Sequence, residues 1–112
     1  MNTTLKFNLP LLHQNQSMKE IVINDSLSKL DSLIANSIIA EIKVLPDKAE
    51  SGDLYLFRPN KDSDLFKYLD HLVYFNSNKW EFITPRDGML FFLRNHNKFI
   101  LFDKMAWGFI AL

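Results

Sequence analysis

Leu72-Val73-Tyr74-Phe75-Asn76-Ser77-Asn78-Lys79-Trp80-Glu81-Phe82-Ile83 aligns without gaps on Phe99-Ile100-Leu101-Phe102-Asp103-Lys104-Met105-Ala106-Trp107-Gly108-Phe109-Ile110, at a constant offset of 27 residues (99 − 72). Each copy reads as an apolar run, a short polar turn and a second apolar run in which Trp and Phe stand two residues apart, on one face of a strand. Two β-hairpins follow, 72–83 and 99–110, expected to pack equivalently, with Trp80 and Trp107 as core anchors. Further candidate strands flank them at Ile39–Val44, Leu54–Phe57 and Met89–Leu93. Clusters rich in Pro, Gly, Asn and Asp break the chain between them. Lys67–His71 suits a helical turn. The runs Leu72–Phe75, Met89–Leu93 and Phe99–Phe102 are apolar throughout, so both of their faces need cover. Residues 38–112 thus predict an antiparallel β-meander, closed as a small sandwich or barrel.

Residues 1–37 have a different character. Ile23, Leu27, Leu30 and Ile34 recur at spacings of four, three and four, the stripe of an amphipathic helix. Two starts are compatible with the sequence: a capping box at Ser17-Met18-Lys19-Glu20, or Asn24 as the cap after the β-branched run Ile21-Val22-Ile23. The common part, Asp25–Ala35, is predicted helical, with Asn36 as the left-handed residue closing it. The same spacing fits a coiled-coil seam between copies of the chain and a helix packed on its own sheet. The fold class is α+β, mainly β: an arm and helix over 1–37 and a β domain over 38–112.

The chain has 112 residues, enough for one self-supporting core. Thirteen basic and thirteen acidic side chains leave no net charge to draw it to nucleic acid or anionic lipid. Cysteine is absent, which removes thiol chemistry and disulfides. The first dozen residues lack the layout of a signal peptide, and no apolar run approaches the ~20 residues of a membrane span, so a soluble protein without membrane insertion is expected.

Chemistry is sparse. His13, His71 and His96 lie in separate segments without metal-ligand spacing. Asp62, Asp64 and Asp70 read as a solvated acidic loop, since the calcium-loop order of Gly and Glu is missing. Glycines stand at 52, 88 and 108 alone, too few for a phosphate-binding loop. No nucleophile is placed by motif beside a base. The expectation is a protein that is not an enzyme and needs no metal or cofactor. Its remaining resource is aromatic: Tyr55, Tyr68 and Tyr74 form a platform for sugars if their strand faces point outward.

Three stretches, taken in order, resemble one family, the domain of unknown function twenty-seven ninety-three. The first is Leu9-Pro10-Leu11, Gln14-Asn15-Gln16-Ser17-Met18-Lys19, then Asn24-Asp25-Ser26-Leu27 and Leu30-Asp31-Ser32-Leu33. The second is the Gly52-Asp53 entry into Leu54-Tyr55-Leu56. The third is Trp80-x-Phe82-x-x-Pro85-x-x-Gly88, followed by Phe102-Asp103 through Trp107. The family's Gly-Ala-Trp-Ala-Gly turn is replaced here by Ser63-Asp64-Leu65-Phe66-Lys67. The resemblance implies a structural virion component of a phage-like or gene-transfer-agent tail. In that setting the partners are other tail proteins and copies of the chain itself, with a trimer favoured by analogy with tail fibres, through Ile23, Leu27, Leu30 and Ile34. It would reside in a virion tail, or in the bacterial cytoplasm if no virion is made. The alternatives are an adhesin module for host-surface glycan or another receptor, and a prophage-derived remnant without a virion role.

Overall fold

The structure is a computed structural model that describes residues 3–12 and 19–110. The chain divides at Ala35/Asn36 into two compact units.

The first unit holds the helix α1, Lys19–Ile34. It starts ahead of Asp25, so Ile21-Val22-Ile23 is helical despite its β-branched side chains. The capping box at Ser17–Glu20 and His13 lie outside the described residues. Asn36 has φ 55°, the left-handed closing conformation expected of it.

Among its described residues the second unit contains eight strands: β1 Ser37–Ile38, β2 Glu41–Ile42, β3 Leu54–Phe57, β4 Leu72–Asn76, β5 Lys79–Ile83, β6 Leu90–Leu93, β7 Lys98–Asp103 and β8 Ala106–Ile110. They form two four-stranded sheets, ordered β1-β6-β7-β8 and β2-β3-β4-β5, and neither closes on itself as a barrel. The sheets are mixed, not wholly antiparallel: β1 runs parallel to β6 and β2 parallel to β3. In place of the single strand expected over Ile39–Val44 there are two short ones, β1 just before it and β2 within it, because the segment changes partner midway. Asn36 and Ile38 accept from the Phe92 and Arg94 amides, whereas Ala40 and Ile42 accept from those of Leu56 and Arg58.

Both predicted hairpins form, β4–β5 and β7–β8, with Phe75 opposite Trp80 and Phe102 opposite Trp107. The repeat extends beyond them. Gly52 N–H donates to Phe75 O at 2.9 Å, and Gly88 N–H to Phe102 O at 2.8 Å; Phe75 N–H donates to Asp53 O and Phe102 N–H to Met89 O. Glu50-Ser51-Gly52-Asp53-Leu54-Tyr55-Leu56-Phe57-Arg58 is therefore the counterpart of Arg86-Asp87-Gly88-Met89-Leu90-Phe91-Phe92-Leu93-Arg94, at an offset of 36 (88 − 52). The change of offset from 36 to 27 is a nine-residue insertion in the first copy, between Arg58 and Leu72. It carries a 3₁₀ turn, Phe66–Tyr68, in place of the turn expected over Lys67–His71.

The two copies pack differently. In the first sheet Leu54, Leu56, Leu72 and Tyr74 are buried on one face, and Val73 and Phe57 on the other. In the second, Phe91, Leu93, Ile100, Phe102 and Trp107 are buried, while Leu90 and Gly108 on the opposite face are exposed. Two-sided cover is thus found for Leu72–Phe75 and not for the other two apolar runs. The insertion supplies part of the cover in the first sheet, stacking Tyr68 on Phe82 at 3.9 Å with rings nearly parallel. Among the described residues, no helix is long and apolar enough to cross a membrane.

Candidate functional site

In the first unit the helix is inside out. Asp31 and Ser32 are buried to 2 % and 1 % exposure, while Ile23, Leu30 and Ile34 stand 44 %, 50 % and 56 % exposed, with Leu27 half-buried beside them. The inversion is built from main-chain hydrogen bonding. Asp31 Oδ1 accepts from Thr4 Oγ1 and Phe7 N–H at 2.8 Å each, and Oδ2 accepts from Lys6 N–H at 2.7 Å. Thr4 Oγ1 in turn accepts from Leu9 N–H. One heptad earlier, Asn24 Oδ1 accepts from Leu12 N–H while its Nδ2 donates to Leu12 O. The arm's backbone thus satisfies the helix's polar face, and a buried carboxylate with three donors keeps its solvation without water. The apolar stripe of Ile23, Leu27, Leu30 and Ile34 is left facing outward.

The motif residues of the second unit lie in turns, in strands and against aromatic neighbours. Gly52 and Gly88 have φ 97° and 94°, a backbone region closed to L side chains, and each opens the first long strand of its repeat. Asp53 accepts from Glu50 N–H through Oδ2, bracing the first of these turns. Phe82 lies between Tyr68 and Phe57. Pro85 sits in the connection from β5 to β6. Trp107 is 9 % exposed, packs on Phe102 and Phe91, and donates from Nε1 to Asp70 O at 2.8 Å. Trp80 is only half-buried, between Phe75 and Tyr55 at ring distances of 4.8 and 6.0 Å. Burial raises the Tyr55 phenol pKa, Asp53 raises it further, and Arg94 opposes.

One polar cluster escaped the sequence reading. Arg58 Nε lies 3.2 Å from Asp70 Oδ1, Arg58 Nη1 3.5 Å from Glu41 Oε2, and His96 Nε2 3.5 Å from Glu41 Oε1. It draws on β2, the ends of the insertion and the β6–β7 turn. Its members Glu41, Arg58, Asp70 and His96 lie far apart in the chain, so no local spacing signals it. Among the described residues, no group of three or more His, Asp or Glu is arranged to hold a metal ion. Asp62 and Asp64 are exposed on the insertion, apart from the ion pair that Asp70 makes.

The remaining distinctive surface is at β8. An open groove of about 210 Å³ is lined by Leu101, Gly108, Phe109 and Ile110 among others. Phe109 is 53 % exposed, with His96 and Lys98 beside its ring.

A family model described as "Protein of unknown function (DUF2793)" matches residues 23–108, most of the chain. No curated protein and no solved structure matches it.

Proposed function

The chain belongs to the DUF2793 family of proteins of unknown function, and on that footing we propose that it is a non-enzymatic structural component of a phage-like or gene-transfer-agent tail, assembling by self-association through α1. The observation that carries this reading is the inverted helix. A monomer that buries Asp31 and exposes Ile23, Leu30 and Ile34 leaves apolar surface in water at a cost of about 25 cal/mol per Å². The stripe's four-three-four spacing lets equivalent helices interlock along it. A threefold arrangement follows from the resemblance to tail fibres, with Ile23, Leu27, Leu30 and Ile34 lining the axis. Because the stripe spans under two heptads, it acts with the rest of the chain and not as an isolated coiled coil. Light scattering coupled to size exclusion at micromolar concentration tests this. With the β8 edge charged by Phe109→Lys, a mass near three times 13.1 kDa is expected, falling to a folded monomer when Leu27→Asp/Leu30→Asp is added; a monomer at every concentration in the seam-intact protein would overturn the reading.

The adhesin reading has one observation in its favour. Trp80, Tyr55 and Phe75 form a half-exposed aromatic group, with the charges of Asp53 and Arg94 felt at Tyr55, an arrangement suited to stacking on a sugar face. Capsule and lipopolysaccharide fragments should then shift tryptophan emission in wild type and not in Trp80→Phe. An unchanged spectrum across such a panel removes this reading.

A further inference from the structure

We propose that β8 is a strand-pairing edge whose partner is β8 of a second copy of the chain, antiparallel and centred on Gly108. Both sheets end on the second strand of a hairpin, β5 in one and β8 in the other. An edge strand offers unpaired backbone groups and is ordinarily guarded by charge or by shortness. β1 and β2 are two residues long, and β5 carries Lys79 and Glu81. β8, Ala106-Trp107-Gly108-Phe109-Ile110, has neither protection.

The hairpin geometry decides which groups face out. Lys104 and Met105, the two loop residues, both have positive φ, as a type I′ turn requires. Such a loop is closed by a hydrogen-bonded pair, here Asp103 and Ala106, and bonded pairs then alternate along the ladder. Leu101 with Gly108 and Phe99 with Ile110 are bonded. The N–H and C=O groups of Trp107 and Phe109 point away from the sheet.

A second β8 satisfies those four groups in one register: Trp107 opposite Phe109 of the other copy, Phe109 opposite its Trp107, and Gly108 opposite its Gly108. The strand is nearly palindromic about Gly108, small-aromatic-Gly-aromatic-apolar, so the two aromatics meet across the twofold axis without opposing any like charges. Gly108 falls in the close, non-bonded position, where the absence of a side chain lets the strands approach, and a Cβ built there meets nothing within 4 Å. An unrelated extended peptide would satisfy the backbone groups equally, but this twofold match of side chains is particular to β8 itself.

The chain contains no cysteine, so a single introduced thiol reports the register. Across a non-bonded antiparallel pair the Cα separation of about 4.5 Å permits a disulfide. Gly108→Cys is expected to oxidise to a covalent dimer of about 26 kDa, twice 13.1 kDa, at least about tenfold faster than the exposed control Met105→Cys. Adding Phe109→Pro, which removes an outward amide and no ladder bond, should bring the rate down to that of the control. Phe109→Lys should do the same by charge, which covers failure of the proline variant to fold. Cross-linking must persist in the Leu27→Asp/Leu30→Asp background, since the edge does not depend on the helical seam. Equal rates for the two thiols, indifference to both Phe109 variants, or loss of cross-linking with the seam variants would each overturn the proposal.

Discussion

Trp80 and Trp107 occupy the same place in two copies of one hairpin, yet their surroundings differ. Trp107 is buried among Phe91 and Phe102 with its indole N–H bonded to Asp70 O, so Trp107→Ala loses burial and leaves a cavity worth about 3–5 kcal/mol. Trp80→Ala should cost well under half of that, because the ring keeps a solvent-facing side. Urea unfolding followed by circular dichroism measures both; equal losses would mean that the two hairpins pack alike. Alignment had implied equal packing, since a gapless repeat conveys register and not what lies against it. The difference arises from the insertion, whose end supplies Asp70 to Trp107 and whose Tyr68 covers Phe82. Asp31 makes a similar point from the polar side. In the sequence it reads as an outward-facing helix residue, and no local pattern reports that three donors from 25 or so positions earlier converge on it. Asp31→Ala leaves one buried and two part-buried donors without their acceptor, and about 1–3 kcal/mol should be lost from the arm's attachment. Hydrogen exchange at the Lys6 and Phe7 amides reads this directly: protection should collapse there while β4 stays protected, and unchanged protection would refute the assignment.

At the scale of elements, the strands and the helix were legible because apolar runs and turn residues alternate cleanly after Ile38, and because the stripe in α1 has helical spacing. What was hidden is the pairing. β1 and β2 are two residues each, too short for any periodicity to mark them, and their parallel partners lie 55 and 15 positions away in the chain. The extension of the repeat upstream was masked by the nine inserted residues, although Gly52 and Gly88 announce it once the offset is allowed to change. The glycines then separate by role. Gly88 has φ 94° with open space around its Cβ position, so Gly88→Ala meets no clash and the cost is wholly in the backbone, about 1–2 kcal/mol. Gly108 lies in a strand with ordinary φ and open space, so Gly108→Ala should leave the melting temperature unchanged or raise it slightly. Thermal melts of the two variants at low protein concentration distinguish a turn glycine from an edge glycine.

For the molecule as a whole, the candidate seam was visible in the sequence as a stripe, but its direction was not. Spacing alone serves a helix laid on its own sheet as well as a helix facing another copy. The hydrogen bonds of Asn24 and Asp31 to the arm turn the helix's polar face toward the arm, while Ile23, Leu30 and Ile34 are exposed, which supports the proposal of a helix facing another copy. The proposed self-association through that stripe would bind the folded chain and not the unfolded one, and so would add stability by mass action. The melting temperature should therefore climb with protein concentration, and raising the concentration a hundredfold at trimer stoichiometry lowers the free energy per chain by about 2 kcal/mol. For a domain of this size that is a shift of several degrees. Leu27→Asp/Leu30→Asp should melt at one temperature throughout the range, provided that β8 pairing is blocked in both proteins by Phe109→Lys. Because the seam is apolar, the slope in the seam-intact protein should also survive a rise in salt, where an ionic interface would weaken by screening. A concentration-independent melting temperature in the seam-intact protein would mean that the stripe stays open to water, and the assembly role would lose its physical basis.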